Sequence, residues 1–205
     1  MEKIDLLKSF LDEYKPASID PKWIEVRTHQ YLSIEGHGDP NNNPQYSQAV
    51  GALFGLAYAL KFMVKKGKLD IDYGVMPLEG LWWADDMKEF SLEDRGNWHW
   101  KMLILQPDFI TADMVTTAQA DVIRKKATPK TDQIHFEVIN EGLCAQIFHQ
   151  GGYGAAETLS VNHLHQFILE SGYQRAGIHH EVYLNSPTRV PVEKLKTLIR
   201  QPVSK

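Results

Sequence analysis

The chain has little of what marks disulfide-rich, nucleic-acid-binding and membrane proteins. Its 205 residues include one cysteine, Cys144, which excludes an internal disulfide framework. The formal net charge of −4 and the pI near 6.1 differ from the basic footprint of a nucleic-acid binder. No unbroken apolar run approaches the roughly 18 residues of a membrane span, and the first residues lack the basic-then-apolar pattern of a signal peptide. We therefore expect a cytoplasmic protein that binds neither DNA nor membranes.

The length suits one domain of ordinary size or two fused small halves. Cys144 lies in an apolar run from Leu143 to Phe148. Reactive thiols need an electropositive, partly exposed setting, so we predict that Cys144 is buried.

Two strings of seven residues lie 95 positions apart and agree at five positions: 101–107 reads Lys-Met-Leu-Ile-Leu-Gln-Pro, and 196–202 reads Lys-Thr-Leu-Ile-Arg-Gln-Pro. Each follows a glutamate beside aromatic residues, Glu79 in the first unit and Glu181 in the second. The period exceeds the roughly 20 to 50 residues of solenoid repeats. We therefore predict a duplicated half-domain whose copies enclose a pocket, each contributing a carboxylate and aromatics.

The two units share one predicted order of elements, in which a strand, a helix and two further strands follow each other. In the first unit these are 24–34, a helix that begins at Pro44 with Asn43 as its cap and ends at Gly67, 73–84, and a strand ending at 106–107. In the second unit they are 143–149, 157–170, 179–184 and 192–200.

The predicted division of the chain follows from this order. An N-terminal helix and linker occupy residues 1–22, with a short amphipathic helix at about 5–14. Half one covers about 23–110, a polar, partly helical connector about 111–132, and half two about 133–205.

Five motifs resemble the GyrI-like small-molecule-binding domains over nearly the whole chain. They lie at 31–40, 75–83, 141–144, 179–184 and 194–202. The resemblance implies an α+β fold of two pseudo-symmetric halves, each a helix packed on antiparallel strands, with a groove between them for planar, often cationic molecules. It also implies that Glu181 lies at the pocket floor. Stand-alone members of this type include hydrolases that open the strained ring of DNA-alkylating cyclopropanoid natural products, which implies a role in detoxification.

The aromatic residues support such a pocket independently of the resemblance. Flat side chains with polar edges bind planar ligands by stacking and apolar burial, and five are candidates here: Tyr46, Trp82, Trp83, Trp100 and Tyr183. Core packing is the alternative for each of them. Adjacent strand residues point to opposite faces, so only one of Trp82 and Trp83 is expected to contact a given ligand, and the sequence leaves open which one.

Glu79 and Glu181 have three possible roles: neutralising a cationic ligand, acting as general base toward water, or satisfying a neighbouring donor. In the hydrolase interpretation, a desolvated glutamate deprotonates water, and a hydroxyl, imidazole or indole donor stabilises the oxyanion. Glu181, Tyr183 and Glu79 are therefore the candidate catalytic residues. His180 and His37 join the candidate ligand-binding residues, although a local hydrogen bond is the simpler explanation for His37.

Metal and cofactor motifs are weak in this sequence. His163 and His165 have the wrong spacing for one helix face, and His179 and His180 would point oppositely on a strand. The glycine-rich segment 151–154 lacks the remainder of a phosphate loop or dinucleotide fingerprint. We expect no metal and no cofactor.

Three functions remain: a cyclopropanoid hydrolase, a non-catalytic protein that sequesters drugs, and a gyrase-inhibitor-like interaction protein.

Overall fold

Two long helices pack on one face of a large antiparallel sheet. The computed structural model describes residues 1–15, 18–85, 95–126 and 128–205, so residues 16–17 of the predicted linker lie outside the described residues. The helices are α1 (Leu6–Ser9), α2 (Leu11–Tyr14), α3 (Pro44–Lys66), α4 (Ala112–Arg124) and α5 (Ala155–Glu170). The strands are β1 (Glu2–Ile4), β2 (Lys22–Val26), β3 (His29–His37), β4 (Ile71–Tyr73), β5 (Leu78–Trp83), β6 (His99–Gln106), β7 (His135–Ile139), β8 (Gly142–Gln150), β9 (Gln174–Arg175), β10 (His179–Tyr183) and β11 (Lys196–Ser204).

Helix α3 begins and ends where the sequence predicts. The side chain of Asn43 accepts a hydrogen bond from the backbone N–H of Gln45, Pro44 opens the first turn, and Gly67 follows the last. By length and composition alone this helix could cross a membrane, although the sequence has no unbroken apolar run of that length. Its buried side chains, Leu53, Leu56 and Leu60 among them, belong to the main hydrophobic core, as is usual for the core helix of a soluble domain.

The main sheet has an approximate two-fold arrangement. Its strands follow the order β2-β8-β11-β10-β5-β6-β3-β7, and β9 pairs with the end of β11. Strands β8, β11 and β10 of the second half mirror β3, β6 and β5 of the first, and the halves meet where β10 pairs antiparallel with β5. Each half also lends an edge strand to the other, because β2 pairs with β8 and β7 pairs with β3. The structure therefore confirms the predicted α+β fold with two pseudo-symmetric halves.

Strand pairing also shows which residues correspond between the halves. In the first half Leu78 pairs with Ile104, and in the second half Glu181 pairs with Ile199. Ile199 lies 95 positions after Ile104, which is the spacing of the two repeated strings. The counterpart of Glu181 is therefore Leu78 and not Glu79, one residue away from the predicted correspondence. A slip of one residue moves a strand side chain to the other face of the sheet.

The N-terminal segment and the connector are helical, as the sequence indicates. The predicted helix near residues 5–14 divides at Phe10 into α1 and α2, and the Asp5 side chain caps the first of them. The connector contains α4, which packs against α3. Cys144 is fully buried, and burial, followed by the charge of Glu141, raises the pKa of its thiol to about 12. The predicted burial of this cysteine is thus confirmed.

Candidate functional site

The pairing of β10 with β5 places the candidate residues on two different faces. Glu181 lies opposite Gly80, and Val182 lies opposite Glu79, with no bulge in the register. Residues directly opposite each other share a face, and residues along a strand alternate. One face, here called the helical face, therefore carries Trp82, Trp100, Glu181 and Tyr183. The other, here called the N-terminal face, carries Glu79, His180 and Arg200.

Glu181 is held within a hydrogen-bonded group on the helical face. It is 9% exposed, and its Oε1 lies 3.0 Å from Nε2 of His179, which precedes it by two residues on the same strand. The indole Nε1 of Trp82 donates to the hydroxyl of Tyr183 over 2.9 Å. Burial, then the charge of Glu181, and also a hydrogen bond to Glu181 raise the pKa of Tyr183 well above its ordinary value. Tyr183 therefore keeps its proton beside the carboxylate.

Aromatic rings from both helical regions approach this group. Tyr46 in the first turn of α3 has its ring 6.2 Å from that of Trp82 and edge-on to Trp100 at 5.2 Å. Tyr153, just before α5, meets Tyr183 edge-on at 5.9 Å. Burial, with a contribution from the charge of Glu181, raises the pKa values of both Tyr46 and Tyr153. The charge of Glu157 also contributes at Tyr153. Both phenols therefore stay neutral beside the Glu181 carboxylate.

Two glycines make room for the aromatic rings. A Cβ on Gly80 would lie 2.8 Å from Nε1 of Trp82 and 3.1 Å from the hydroxyl of Tyr183. A Cβ on Gly36 would lie 2.1 Å from ring atoms of Trp100, whose indole is fully buried. Trp100 is thus part of the core beneath Tyr46, and its contact with a ligand stays a prediction.

Trp83 and His37 lie apart from Glu181, on the N-terminal face at the end of the sheet. Trp83 stacks on His99 with ring centroids 5.6 Å apart, and His37 approaches the same ring at 4.8 Å. His99 also pairs with Asp85, Nε2 to Oδ1, over 2.9 Å. Of the adjacent tryptophans, Trp82 is therefore the one that shares a face with Glu181.

Glu79 and His180 form a buried ion-pair cluster on the N-terminal face. Nε2 of His180 lies 2.9 Å from Oε2 of Glu79, and Nδ1 lies 2.9 Å from Oε2 of Glu141. The hydroxyl of Tyr14 donates to Oε1 of Glu79 over 2.7 Å. Burial lowers the pKa of His180, but the charge and hydrogen bond of Glu141, together with the ion pair to Glu79, outweigh it and raise the pKa to about 9. His180 is therefore an imidazolium at neutral pH.

Arg200 links the N-terminal helix α2 to strand β8 beside this cluster. Its Nε donates to the side-chain oxygen of Gln146 over 2.7 Å, and its Nη2 donates to the backbone oxygen of Glu13 over 2.5 Å. Its guanidinium also lies over the ring of Tyr14 at 5.1 Å. The N-terminal face thus joins α2 to the sheet through buried charges.

The prediction that Glu79 and Glu181 share one pocket therefore requires correction. The repeat suggested that the two glutamates correspond to each other. The strand register instead aligns Glu181 with Leu78, so the Glu79 side chain lies on the other face of the sheet. The same alternation carries His180 away from Glu181 and brings His179 to it. His180 was a predicted site residue, whereas His179 and Tyr153 were not. For His179 a signal existed, because it shares strand parity with Glu181 and Tyr183.

A shallow groove elsewhere shares no residue with this site. It lies between α3 and α4, has a volume of about 700 Å³, and is lined by Phe62, Met63, Lys66 and Arg124 among others.

The fold and the motifs agree with comparisons to known proteins. The GyrI-like small molecule binding domain matches residues 20–204. An uncharacterized conserved protein from Listeria innocua is 35% identical with a TM-score of 0.89, over 98% of this chain and 100% of that one. A hydrolase from Listeria innocua is also 35% identical, with a TM-score of 0.88, over 99% and 100%.

The C-terminal domain of EcmrR is 16% identical with a TM-score of 0.56, over 91% of this chain and 98% of that one, and shares the fold alone. A comparison with curated proteins gave no match. The match over residues 20–204 and the two full-length relatives show that this chain belongs to the GyrI-like small molecule binding domain family.

Proposed function

We propose that the chain binds planar, hydrophobic small molecules, cationic ones included, on the helical face and hydrolyses the cyclopropane ring of DNA-alkylating cyclopropanoid natural products. The observation that carries the proposal is a carboxylate, Glu181, on the same face as Trp82 and Tyr183, with aromatic rings approaching from α3 and from the segment before α5. Membership of a small-molecule-binding family supports the binding part. Full-length relatives described as hydrolases support the catalytic part. The expected role is detoxification in the cytoplasm.

Binding would use the space above the β5 and β10 pair. In the proposed groove, Trp82 and Tyr183 form the floor, Tyr46 the wall on the α3 side and Tyr153 the wall on the α5 side. Stacked or edge-on aromatic pairs contribute about 0.5–1.5 kcal/mol each beyond area burial. Because the tyrosines are neutral, the Glu181 carboxylate would supply negative charge to a cationic ligand.

The proposed reaction is attack of water on a ring carbon of a cyclopropane fused to a dienone. Glu181 accepts a proton from the attacking water, whose oxygen forms the new C–O bond as the C–C bond breaks. The electron pair of that C–C bond moves into the dienone, which becomes a phenolate and then takes up one proton, so the product equals substrate plus water. Ring strain lowers the intrinsic barrier, and the step needs only a base and a donor.

Tyr183 is placed to supply that donor. In the resting site its hydroxyl accepts the indole N–H of Trp82 and interacts with the Glu181 carboxylate. A protonated carboxyl group is a weaker acceptor than a carboxylate. Once Glu181 has taken the proton from water, the Tyr183 hydroxyl can therefore donate to the developing phenolate. Trp82 would hold the hydroxyl in position during this change.

The first test is product identification. Purified protein is incubated with a cyclopropane-bearing alkylator under conditions where spontaneous ring opening is negligible, and the products are identified by mass spectrometry. The proposal expects a ring-opened product that has gained one water. Binding without conversion would instead support the drug-sequestering alternative, and absence of binding would leave the gyrase-inhibitor-like interaction protein.

A further inference from the structure

We propose that His179 is a positioning residue that fixes the orientation of the Glu181 carboxylate toward the ligand, an inference that rests on the proposed function for its catalytic consequence. His179 is 6% exposed, and its Nε2 lies 3.0 Å from Oε1 of Glu181. An ionised carboxylate only accepts hydrogen bonds, so Nε2 carries the proton and donates. One carboxylate oxygen is thereby fixed, and the rotation of the side chain is restricted.

The rest of the site makes this contact specific. Tyr183, two residues beyond Glu181, interacts with the carboxylate while it accepts the indole N–H of Trp82. Glu181 therefore has His179 two residues before it and Tyr183 two residues after it, and all three side chains lie on one face of β10. The hydrogen bond from His179, with the Tyr183 hydroxyl close by, limits the orientations that the carboxylate can adopt, which is the arrangement a general base requires.

The pseudo-symmetry shows that the fold does not need this hydrogen bond. The counterpart of Glu181 in half one is Leu78, and the residue two positions before Leu78, matching His179, is Met76. Met76 is buried, and Leu78 packs against the core without forming a polar pair. The same place in the fold is thus filled by two apolar residues in one half and by a histidine and a glutamate in the other. This contrast favours a functional role over a structural one.

Among the residues that the structure describes, the charged and titratable groups near His179 come from several elements. Glu181 and Tyr183 lie on β10, and Tyr46 and Tyr153 approach from α3 and from the segment before α5. From α5, His165 lies within the electrostatic influence of His179, and its Nδ1 is 3.3 Å from Nη1 of Arg175 on β9. Burial, then Arg175 and His179, lower the pKa of His165 to about 4. His165 is therefore neutral and adds no charge that competes for Glu181.

Two variants separate the hydrogen bond from the volume of the side chain. His179→Met copies the residue of half one and removes the donor, whereas His179→Gln keeps an N–H donor. His163→Gln, an exposed histidine on α5, is the matched control. The first measurement needs no turnover: affinities for a planar cationic dye and a neutral planar analogue are determined by quenching of tryptophan fluorescence, with melting temperature as the check on folding.

Wild type should prefer the cation, and this preference should fall about 3- to 10-fold in His179→Met but persist in His179→Gln and His163→Gln. The second measurement is ring opening, in which His179→Met should lower kcat about 10- to 100-fold with KM for a neutral substrate nearly unchanged, and His179→Gln should stay within about 5-fold of wild type. A folded His179→Met with the wild-type charge preference would overturn the inference, as would a loss in His179→Gln equal to that in His179→Met. If wild type opens no ring, the hydrolase proposal fails, while the dye measurement still decides the role of His179.

Discussion

Glu181 and His180 are neighbours in the chain and lie on opposite faces of the sheet, where they meet different chemistry. Glu181 is beside Trp82, Tyr183 and His179 on the helical face. His180 is enclosed by Glu79 and Glu141 on the N-terminal face. At the scale of single residues, the alternation of side chains along β10 therefore decides which residues surround Glu181 and which surround His180, although the two are adjacent in sequence.

The adjacent tryptophans test this division directly. Replacing Trp82 by Ala should weaken binding of a planar neutral ligand by about 1–3 kcal/mol, because the ring that forms the floor of the proposed groove is removed. Replacing Trp83 by Ala should cost less than about 0.5 kcal/mol, because Trp83 stacks on His99 on the other face. Affinities are measured by titration calorimetry of folded variants. A larger loss for Trp83→Ala than for Trp82→Ala would contradict the assignment of faces.

At the scale of elements, the N-terminal helices and β10 are joined by buried charges. Glu79, Glu141 and the imidazolium of His180 form the cluster that Tyr14 and Arg200 connect to α2. Removing one partner of a buried ion pair leaves an uncompensated charge, which typically costs about 3–5 kcal/mol. This cluster thus has a structural role in our account, in contrast to the catalytic role predicted for Glu79 and the ligand-binding role predicted for His180.

The raised pKa of His180 makes stability depend on pH. Because the folded pKa is about 9 and the ordinary value is 6.5, the stabilisation is fully present below pH 6.5 and is lost as pH rises through about 9. Denaturant unfolding of wild type should therefore show a loss on the order of 3 kcal/mol between pH 6.5 and 9.5. His180→Gln should be less stable at pH 6.5 and should lack this loss. A variant curve that runs parallel to the wild-type curve would refute the assignment.

The elements themselves followed from local signals in the sequence. The cap at Asn43, Pro44 at the start and Gly67 at the end defined α3 because these residues act within one or two turns. The predicted strand 73–84 contains β5 (Leu78–Trp83) and overlaps β4 only at Tyr73. The break at Phe10 between α1 and α2 and the exchange of β2 and β7 between halves were not predicted. The exchange depends on contacts between distant segments, which local patterns do not report.

At the scale of the whole molecule, two similar halves have diverged in chemistry. The repeated strings on β6 and β11 differ at two positions, where Met102 corresponds to Thr197 and Leu105 corresponds to Arg200. Arg200 links α2 to β8 beside the buried cluster of the N-terminal face. The repeat predicted the duplication correctly, but it gave no register for β5 against β10. Without that register, Glu79 and Glu181 looked equivalent, although Leu78 is the true counterpart of Glu181. The residues of a site formed where β5 pairs with β10 can therefore be assigned only from the structure.

The most direct test of the account compares turnover of a cyclopropanoid substrate by wild type, Glu181→Gln and Glu79→Gln under saturating conditions. Gln keeps the size of the side chain and removes the base, so Glu181→Gln should bind substrate with nearly wild-type affinity while kcat falls roughly 10²- to 10⁴-fold. Glu79→Gln should be less stable yet retain turnover per folded molecule, because Glu79 faces away from the site. Equal, small losses in the two variants, or a loss confined to Glu79→Gln, would contradict the claim that Glu181 is the catalytic base.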